Sequence, residues 1–106
     1  MANVSACALK RLGTVAEQVT CTSANTDYAM ASAMASGTKY LVVYCASDIL
    51  VSMGEATSNT VGVLVSAGVS TTFPVTVTGT TAYDKAHFRS GLVAGAVVRV
   101  TSMKDA

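Results

Sequence analysis

The sequence predicts an all-β fold: a single small β-sandwich or jelly-roll-like barrel of about seven to eight short antiparallel strands. Three observations predict it. Valine and threonine are abundant, and their branching at Cβ suits the pleated backbone of a strand. Apolar and polar residues alternate over many short stretches, separated by turn formers about every 8–12 residues. No repeat or linker divides the 106 residues, so we expect one domain over 1–106, with 1–13 as a possible N-terminal arm.

The N-terminal third contains one clear strand pattern and one ambiguous stretch. Residues 14–22 alternate in character and predict the first strand. Residues 28–37, YAMASAMASG, are rich in helix-forming Ala and Met, and Met30 and Met34 are one helical turn apart. However, an isolated helix of this length is marginal, and Tyr28, Met30 and Met34 share one side of an extended chain. We therefore expect a short strand followed by a loop.

From residue 38 onward, strand patterns follow each other regularly. The predicted strands are 38–46, 49–53, 61–66, 71–78, 85–89 and 96–103. Over 71–78, Phe73, Val75 and Val77 are expected to point inward, with threonines and Pro74 outward. Because proline cannot donate a backbone hydrogen bond, this strand is expected at a sheet edge or at a bulge.

The strand 38–46 is unusual because both of its faces are apolar. Leu41, Val43 and Cys45 point one way, whereas Tyr40, Val42 and Tyr44 point the other way. A small two-layer β domain normally buries one face of each strand, so the second face needs a cover. Two explanations are open: residues 28–37 fold over it, or a neighbouring protein covers it.

Composition restricts the classes of function. Only 12% of residues are charged, about half the usual share, which suits a protein packed against neighbours. The net charge is +1, with no basic cluster beyond Lys10 and Arg11, so we expect no nucleic-acid partner. No apolar run approaches the length of a membrane span, and the N-terminus lacks the pattern of a signal peptide. We expect no membrane partner and synthesis in the cytoplasm.

Candidate catalytic and metal-binding residues are few. His87 is the only histidine, and the sequence does not identify the partner that a general base requires, so we expect a surface or contact histidine. Cys7, Cys21 and Cys45 lack the spacing of a zinc site or a disulfide framework, so we expect three buried, reduced thiols. The carboxylates match no calcium or glycosidase pattern. We therefore expect no enzyme activity, no metal and no cofactor.

Two tyrosines suggest a different function, the binding of a carbohydrate. Tyr40 and Tyr44 lie four residues apart on one strand face, with Val42 between them on that face, and would form a stacking platform for a sugar ring. Tyrosine is also enriched at protein interfaces. A carbohydrate- or receptor-binding module therefore remains an alternative to a structural role.

Three stretches, GTKYLVVYCASDILVSMG, VLVSAGVSTTFPV and GAVVRVTSM, resemble small structural proteins of tailed-phage virions. In those proteins a strand begins with Lys or Arg, Tyr and an aliphatic residue, and the next ends in an aliphatic-x-Met/Phe-Gly step. An L-x-x-G-x-x-x-x-F-x-V segment and a closing V-x-V-T-x-M strand complete the pattern. The match runs from about Gly37 to Met103.

The resemblance implies a capsid decoration or cement protein on the virion surface, usually a dimer or trimer on the shell. Its partners would be the major capsid protein and further copies of itself; a minor head–tail component is an alternative. We expect the contact residues among Tyr40, Val42, Tyr44, Tyr28, Met30 and Met34. The resemblance implies no catalytic residues.

Overall fold

The computed structural model describes residues 9–11, 17–58 and 60–105, which form nine strands. In chain order these are β1 (Leu9–Arg11), β2 (Glu17–Cys21), β3 (Tyr28–Ala29), β4 (Tyr40–Cys45), β5 (Ile49–Met53), β6 (Val63–Val65), β7 (Thr71–Pro74), β8 (Ala86–Ser90) and β9 (Ala96–Asp105). All pairings are antiparallel, and the predicted all-β sandwich is confirmed. In this part of the chain no helix is long and apolar enough to cross a membrane.

The strands form two packed sheets. Sheet A has the order β2–β9–β4–β7, and sheet B has the order β3–β8–β5–β6. The ten-residue β9 organises sheet A: one of its edges pairs with β4, and the other pairs with β2 near its start and with β1 near its end. The edge strands β2 and β3 therefore lie on one side of the sandwich, and β6 and β7 lie on the other. We call these the β2–β3 side and the β6–β7 side.

The hydrophobic core lies between the sheets. It is built by alternation, because every second residue of a strand points to the same face. In β4, Leu41, Val43 and Cys45 are buried, and in β8 Ala86, Phe88 and Ser90 are buried. The largest fully buried hydrophobic side chains are Phe88, Leu41, Ile49, Val43, Val51, Val65, Val98 and Val100. Each such side chain contributes about 1.5–3 kcal/mol by leaving water.

The N-terminal strands differ in part from the sequence prediction. The strand predicted over 14–22 is present as β2, which begins at Glu17; residues 12–16 lie outside the described residues. Residues 9–11, part of the predicted arm, pair with the end of β9 as β1. This pairing was not predicted, because three residues are too few to show alternation.

The ambiguous stretch 28–37 is a short strand followed by a loop, as predicted. After β3, the backbone continues along β8: Met30 N donates to Ala86 O (3.0 Å) and Met34 N donates to Asp84 O (2.8 Å). Both methionine side chains enter the core. The stretch therefore extends sheet B, and burial of its apolar side outweighs the helix preference of Ala and Met.

The predicted edge position of Pro74 is confirmed. β7 is the outer strand of sheet A, and Pro74 is its last residue. The strand is shorter than the predicted 71–78, but the chain remains beside β4, with Val75 N donating to Lys39 O (2.9 Å). Phe73, Val75 and Val77 point inward, as expected, and are half-buried against the core.

Candidate functional site

The second face of β4 is the outer face of sheet A. Since Leu41, Val43 and Cys45 fill the core, alternation directs Tyr40, Val42 and Tyr44 outward. Tyr40 and Val42 are half-buried, and Tyr44 is 37% exposed. The strand in the middle of the sheet therefore presents two aromatic rings and one aliphatic side chain in a line.

Neighbouring strands extend this apolar line into a surface. On β9, Met103 lies opposite Tyr40 and Thr101 lies opposite Val42. On β7, Pro74 lies opposite Tyr40 and Thr72 opposite Val42. The contributors from β2, β4, β7 and residues 97–103 of β9 are Gln18, Thr20, Tyr40, Val42, Tyr44, Thr72, Pro74, Val97, Arg99, Thr101 and Met103. We call this set the sheet A face.

Arg99 is the one charged member of the sheet A face. It lies opposite Tyr44 on one neighbouring strand and opposite Gln18 on the other. Tyr44, Val97 and Arg99 are exposed, with Val97 at 43%. Tyrosine, methionine and arginine are the residue types enriched in protein–protein contacts, whereas lysine and acidic residues are depleted there. The composition of the face matches that of a protein interface.

The other predicted contact residues lie elsewhere. Met30 and Met34 are 5% and 6% exposed and belong to the core. Tyr28 is half-buried in β3 of sheet B, where its hydroxyl accepts from Ser23 N (2.8 Å). In this conformation both methionines lack the surface for a partner. Because the segment 28–37 lies in sheet B, it does not cover the outer face of β4.

His87 has a partner that the sequence did not reveal. Its Nδ1 lies 2.8 Å from Oδ2 of Asp27, sixty positions earlier in the chain. The other oxygen, Oδ1 of Asp27, accepts from Thr57 N (2.8 Å) and from Thr57 Oγ1 (2.6 Å). The cluster joins the start of β3, the β5–β6 loop and β8 on the outside of sheet B.

The order of groups in this cluster indicates a structural tie. In a catalytic triad the histidine lies between the hydroxyl and the carboxylate, and it takes the hydroxyl proton. Here the carboxylate of Asp27 lies in the middle, and the Thr57 hydroxyl donates to it. Burial raises the pKa of Asp27, but hydrogen bonds from Thr57 and His87 outweigh burial and hold that pKa below its ordinary value. The carboxylate therefore stays ionised and bonded.

The described cysteines are core residues. Cys21 and Cys45 are buried, unpaired thiols in sheet A; Cys7 lies outside the described residues. Burial is the main cause that raises the pKa of Cys21, which keeps this thiol protonated and unreactive. Among the described residues, no three His, Cys, Asp or Glu side chains are placed to hold a metal ion.

A cleft of about 420 Å³ lies at the end of the sandwich where three loops meet. Its walls come from the β4–β5, β6–β7 and β8–β9 loops, and its lining includes Ser47, Asp48, Ala67, Leu92 and Val93. Asp48 Oδ1 accepts from Ala67 N (2.7 Å), so this carboxylate fixes one loop against another. The cleft brings no second charged or catalytic side chain beside Asp48.

No family model, curated protein or solved structure matches the chain. A function must therefore be inferred from its surfaces. The sheet A face brings together three of the six predicted contact residues, with Tyr40, Val42 and Tyr44 on its strand β4.

Proposed function

We propose that the chain is a virion structural protein, a capsid decoration or cement protein that binds the outer shell through the sheet A face. The observation that carries the proposal is the row of Tyr40, Val42 and Tyr44, because the eleven residues named for the sheet A face include one charged residue, Arg99. A surface with so few charges is suited to a permanent contact with another protein. The resemblance of residues 37–103 to phage virion proteins supports a shell as that partner.

The proposed mechanism is stabilisation by mass action. A protein that binds only the assembled shell shifts the equilibrium away from rupture by RT ln(1 + [L]/Kd) at each site, about 2.7 kcal/mol at a hundredfold excess over Kd. Many sites on one particle add up, and a dimer or trimer that bridges neighbouring capsomers gains further from effective concentration. Because the face carries one charge, moderate salt is not expected to release the protein.

Particles prepared without the protein provide the test. We expect them to release DNA at a lower temperature than complete particles and to recover when purified protein is added back. Tyr44→Asp should fail to restore stability, because a carboxylate would be desolvated in the contact. Tyr83→Asp is the matched control, since Tyr83 is 64% exposed in the β7–β8 loop, outside the sheet A face.

Three outcomes would contradict the proposal. Particles that release DNA at the same temperature with and without the protein would exclude a cement role. Equal recovery with Tyr44→Asp and wild type would exclude the sheet A face as the contact. Specific binding of a glycan that Tyr44→Asp abolishes, without binding to the shell, would favour the receptor-binding alternative, in which Tyr40 and Tyr44 stack on a sugar ring.

A further inference from the structure

The β6–β7 side presents two sheet edges at once. β6 is the outer strand of sheet B, and β7 is the outer strand of sheet A. Pro74 blocks one backbone donor position of β7, whereas β6, with sequence Val63-Leu64-Val65, contains no proline. An unprotected edge strand is a template on which another strand can pair.

The side chains around β6 are apolar and exposed. Val63 is 58% exposed, Leu64 61% and Val69 53%. No Asp, Glu, Lys, Arg or His occurs between residues 56 and 83, a stretch that contains both β6 and β7. Natural proteins usually place charges, above all lysine, on edge strands to prevent pairing with other chains. That protection is missing from β6.

The core is also incomplete on this side. Phe73, Val75 and Val77 point toward the core and pack against it, yet they remain half-buried. The corresponding residues of β2 on the opposite edge of sheet A, Val19 and Cys21, are buried. A cover on the β6–β7 side would remove apolar surface of these residues from water, which is favourable in proportion to area.

We propose that the β6–β7 side is the contact between two copies of this chain, with β6 paired antiparallel to β6 of the second copy about a two-fold axis. The two B sheets then form one continuous eight-stranded sheet. Leu64 lies opposite Leu50 in the register of β5 and β6. When Leu64 of one copy lies opposite Leu64 of the other, the outer surface of the joined sheets carries a row of four leucines: Leu50 and Leu64 from each copy.

Two observations favour a second copy as the occupant. A two-fold axis at the centre of β6 places Leu64 opposite its own counterpart, so a charge there would face a like charge, and the absence of charge over 56–83 removes that repulsion. The exposed side chains also suit a contact between identical subunits, which is more apolar than the rest of a protein surface, since Val63, Leu64 and Val69 are each more than half exposed.

A matched pair of lysine substitutions tests the proposal. In sedimentation equilibrium at about 100 μM, wild type should be dimeric or a larger even-numbered assembly, and Leu64→Lys should weaken association at least about tenfold. Leu92→Lys is the control, because Leu92 is 95% exposed in the β8–β9 loop. It should associate like wild type. A monomeric wild type, or equal association of Leu64→Lys and wild type, would overturn the proposal.

A second measurement needs no variant and is independent of shell binding. Amide hydrogen exchange of residues 63–65 should slow as protein concentration rises across the association range, because pairing protects the free edge of β6. The amides of β8 in the middle of sheet B should not respond in this way. Exchange at 63–65 that is independent of concentration in an associated protein would contradict the β6 contact. A dimer that fails to stabilise particles would refute the cement role and leave this contact standing.

Discussion

Each side of the sandwich is formed by one edge strand from each sheet, but the two sides differ in how completely their apolar side chains are buried. On the β2–β3 side, Val19 and Cys21 of sheet A are buried, and Met30 and Met34 fill the core from the segment that continues β3. On the β6–β7 side, Phe73 remains half-buried, and β6 exposes its apolar side chains. The apolar side chains of the first side are buried within the chain, and those of the second side remain partly in contact with water.

Polar contacts differ in the same way. On the β2–β3 side, Glu17 of sheet A accepts from Ala31 N through Oε2 (2.7 Å), and this bond joins the edges of the two sheets. Asp27, just before β3, joins three segments of chain with its carboxylate. The stretch 56–83 contributes no charged side chain of its own, although Asp48 and Asp84, outside it, accept hydrogen bonds from Ala67 N (2.7 Å) and Thr78 N (2.7 Å). The strands β6 and β7 therefore carry no charge, whereas β2 carries Glu17.

The largest expected difference in stability is between alanine variants of Phe88, at the centre of the sandwich, and of Phe73, on the β6–β7 side. Phe88→Ala should lower the free energy of unfolding by about 3–5 kcal/mol, since Phe88 is fully buried. Phe73→Ala should cost only about 1–2 kcal/mol in dilute protein, because the Phe73 side chain is only partly buried. Urea denaturation of both variants gives the comparison.

Protein concentration sharpens the phenylalanine test. If a second copy covers the β6–β7 side, the cost of Phe73→Ala should grow with protein concentration, whereas the cost of Phe88→Ala should change less. Equal costs for the two variants in dilute protein would show that the β6–β7 side is as well packed as the centre of the sandwich.

The fold was more predictable from sequence than the sites. Alternation identified the strands β4, β5 and β9, and over 71–78 it identified Phe73, Val75 and Val77 as inward, because burial of one face leaves a period of two. The two apolar faces of β4 were visible for the same reason. The pairing of Asp27 with His87 was not, because partners sixty positions apart leave no local pattern.

Met30 and Met34 show a further limit. Their shared side of the chain indicated burial, but the sequence did not distinguish a core from a subunit contact, since both require apolar side chains. By contrast, the absence of charge from 56 to 83 could be read directly from the sequence. Its meaning depended on knowing that β6 and β7 are both edge strands, which only the sheet order reveals.

Replacement of Asp27 is expected to lower the free energy of unfolding by less than Phe88→Ala does. Its folded-state pKa is lowered, so the carboxylate stabilises the fold above its unfolded pKa of about 3.9, and this contribution is lost as pH falls through the folded-state pKa. Asp27→Asn should cost about 1–2 kcal/mol at pH 7 and progressively less below pH 4. Chemical denaturation across pH measures this difference.

Asp48→Asn is the control for Asp27. The carboxylate of Asp48 is exposed and accepts a hydrogen bond from Ala67 N within the loops, so its replacement should cost about 0.5 kcal/mol or less. A cost of Asp27→Asn that is the same at pH 3 and pH 7 would contradict an ionised tie between β3, the β5–β6 loop and β8.

Replacement of Glu17 is expected to cost less stability than replacement of Asp27. Glu17→Ala removes the acceptor for Ala31 N and should cost about 0.5–1.5 kcal/mol without altering the oligomeric state. Glu17→Gln retains a side-chain oxygen and should recover part of the loss. Thermal unfolding and sedimentation of both variants check these expectations. Dissociation of the assembly by Glu17→Ala would indicate that the β2–β3 side also takes part in association.

Cryo-electron microscopy of the virus particle that we propose carries this chain tests the central claim most directly. We predict many copies on the outer surface of the shell, with Tyr40, Val42 and Tyr44 against the capsid protein and pairs of copies meeting at β6. A chain found only at the tail tip or the connector, or on the shell with the sheet A face toward solvent, would contradict the account.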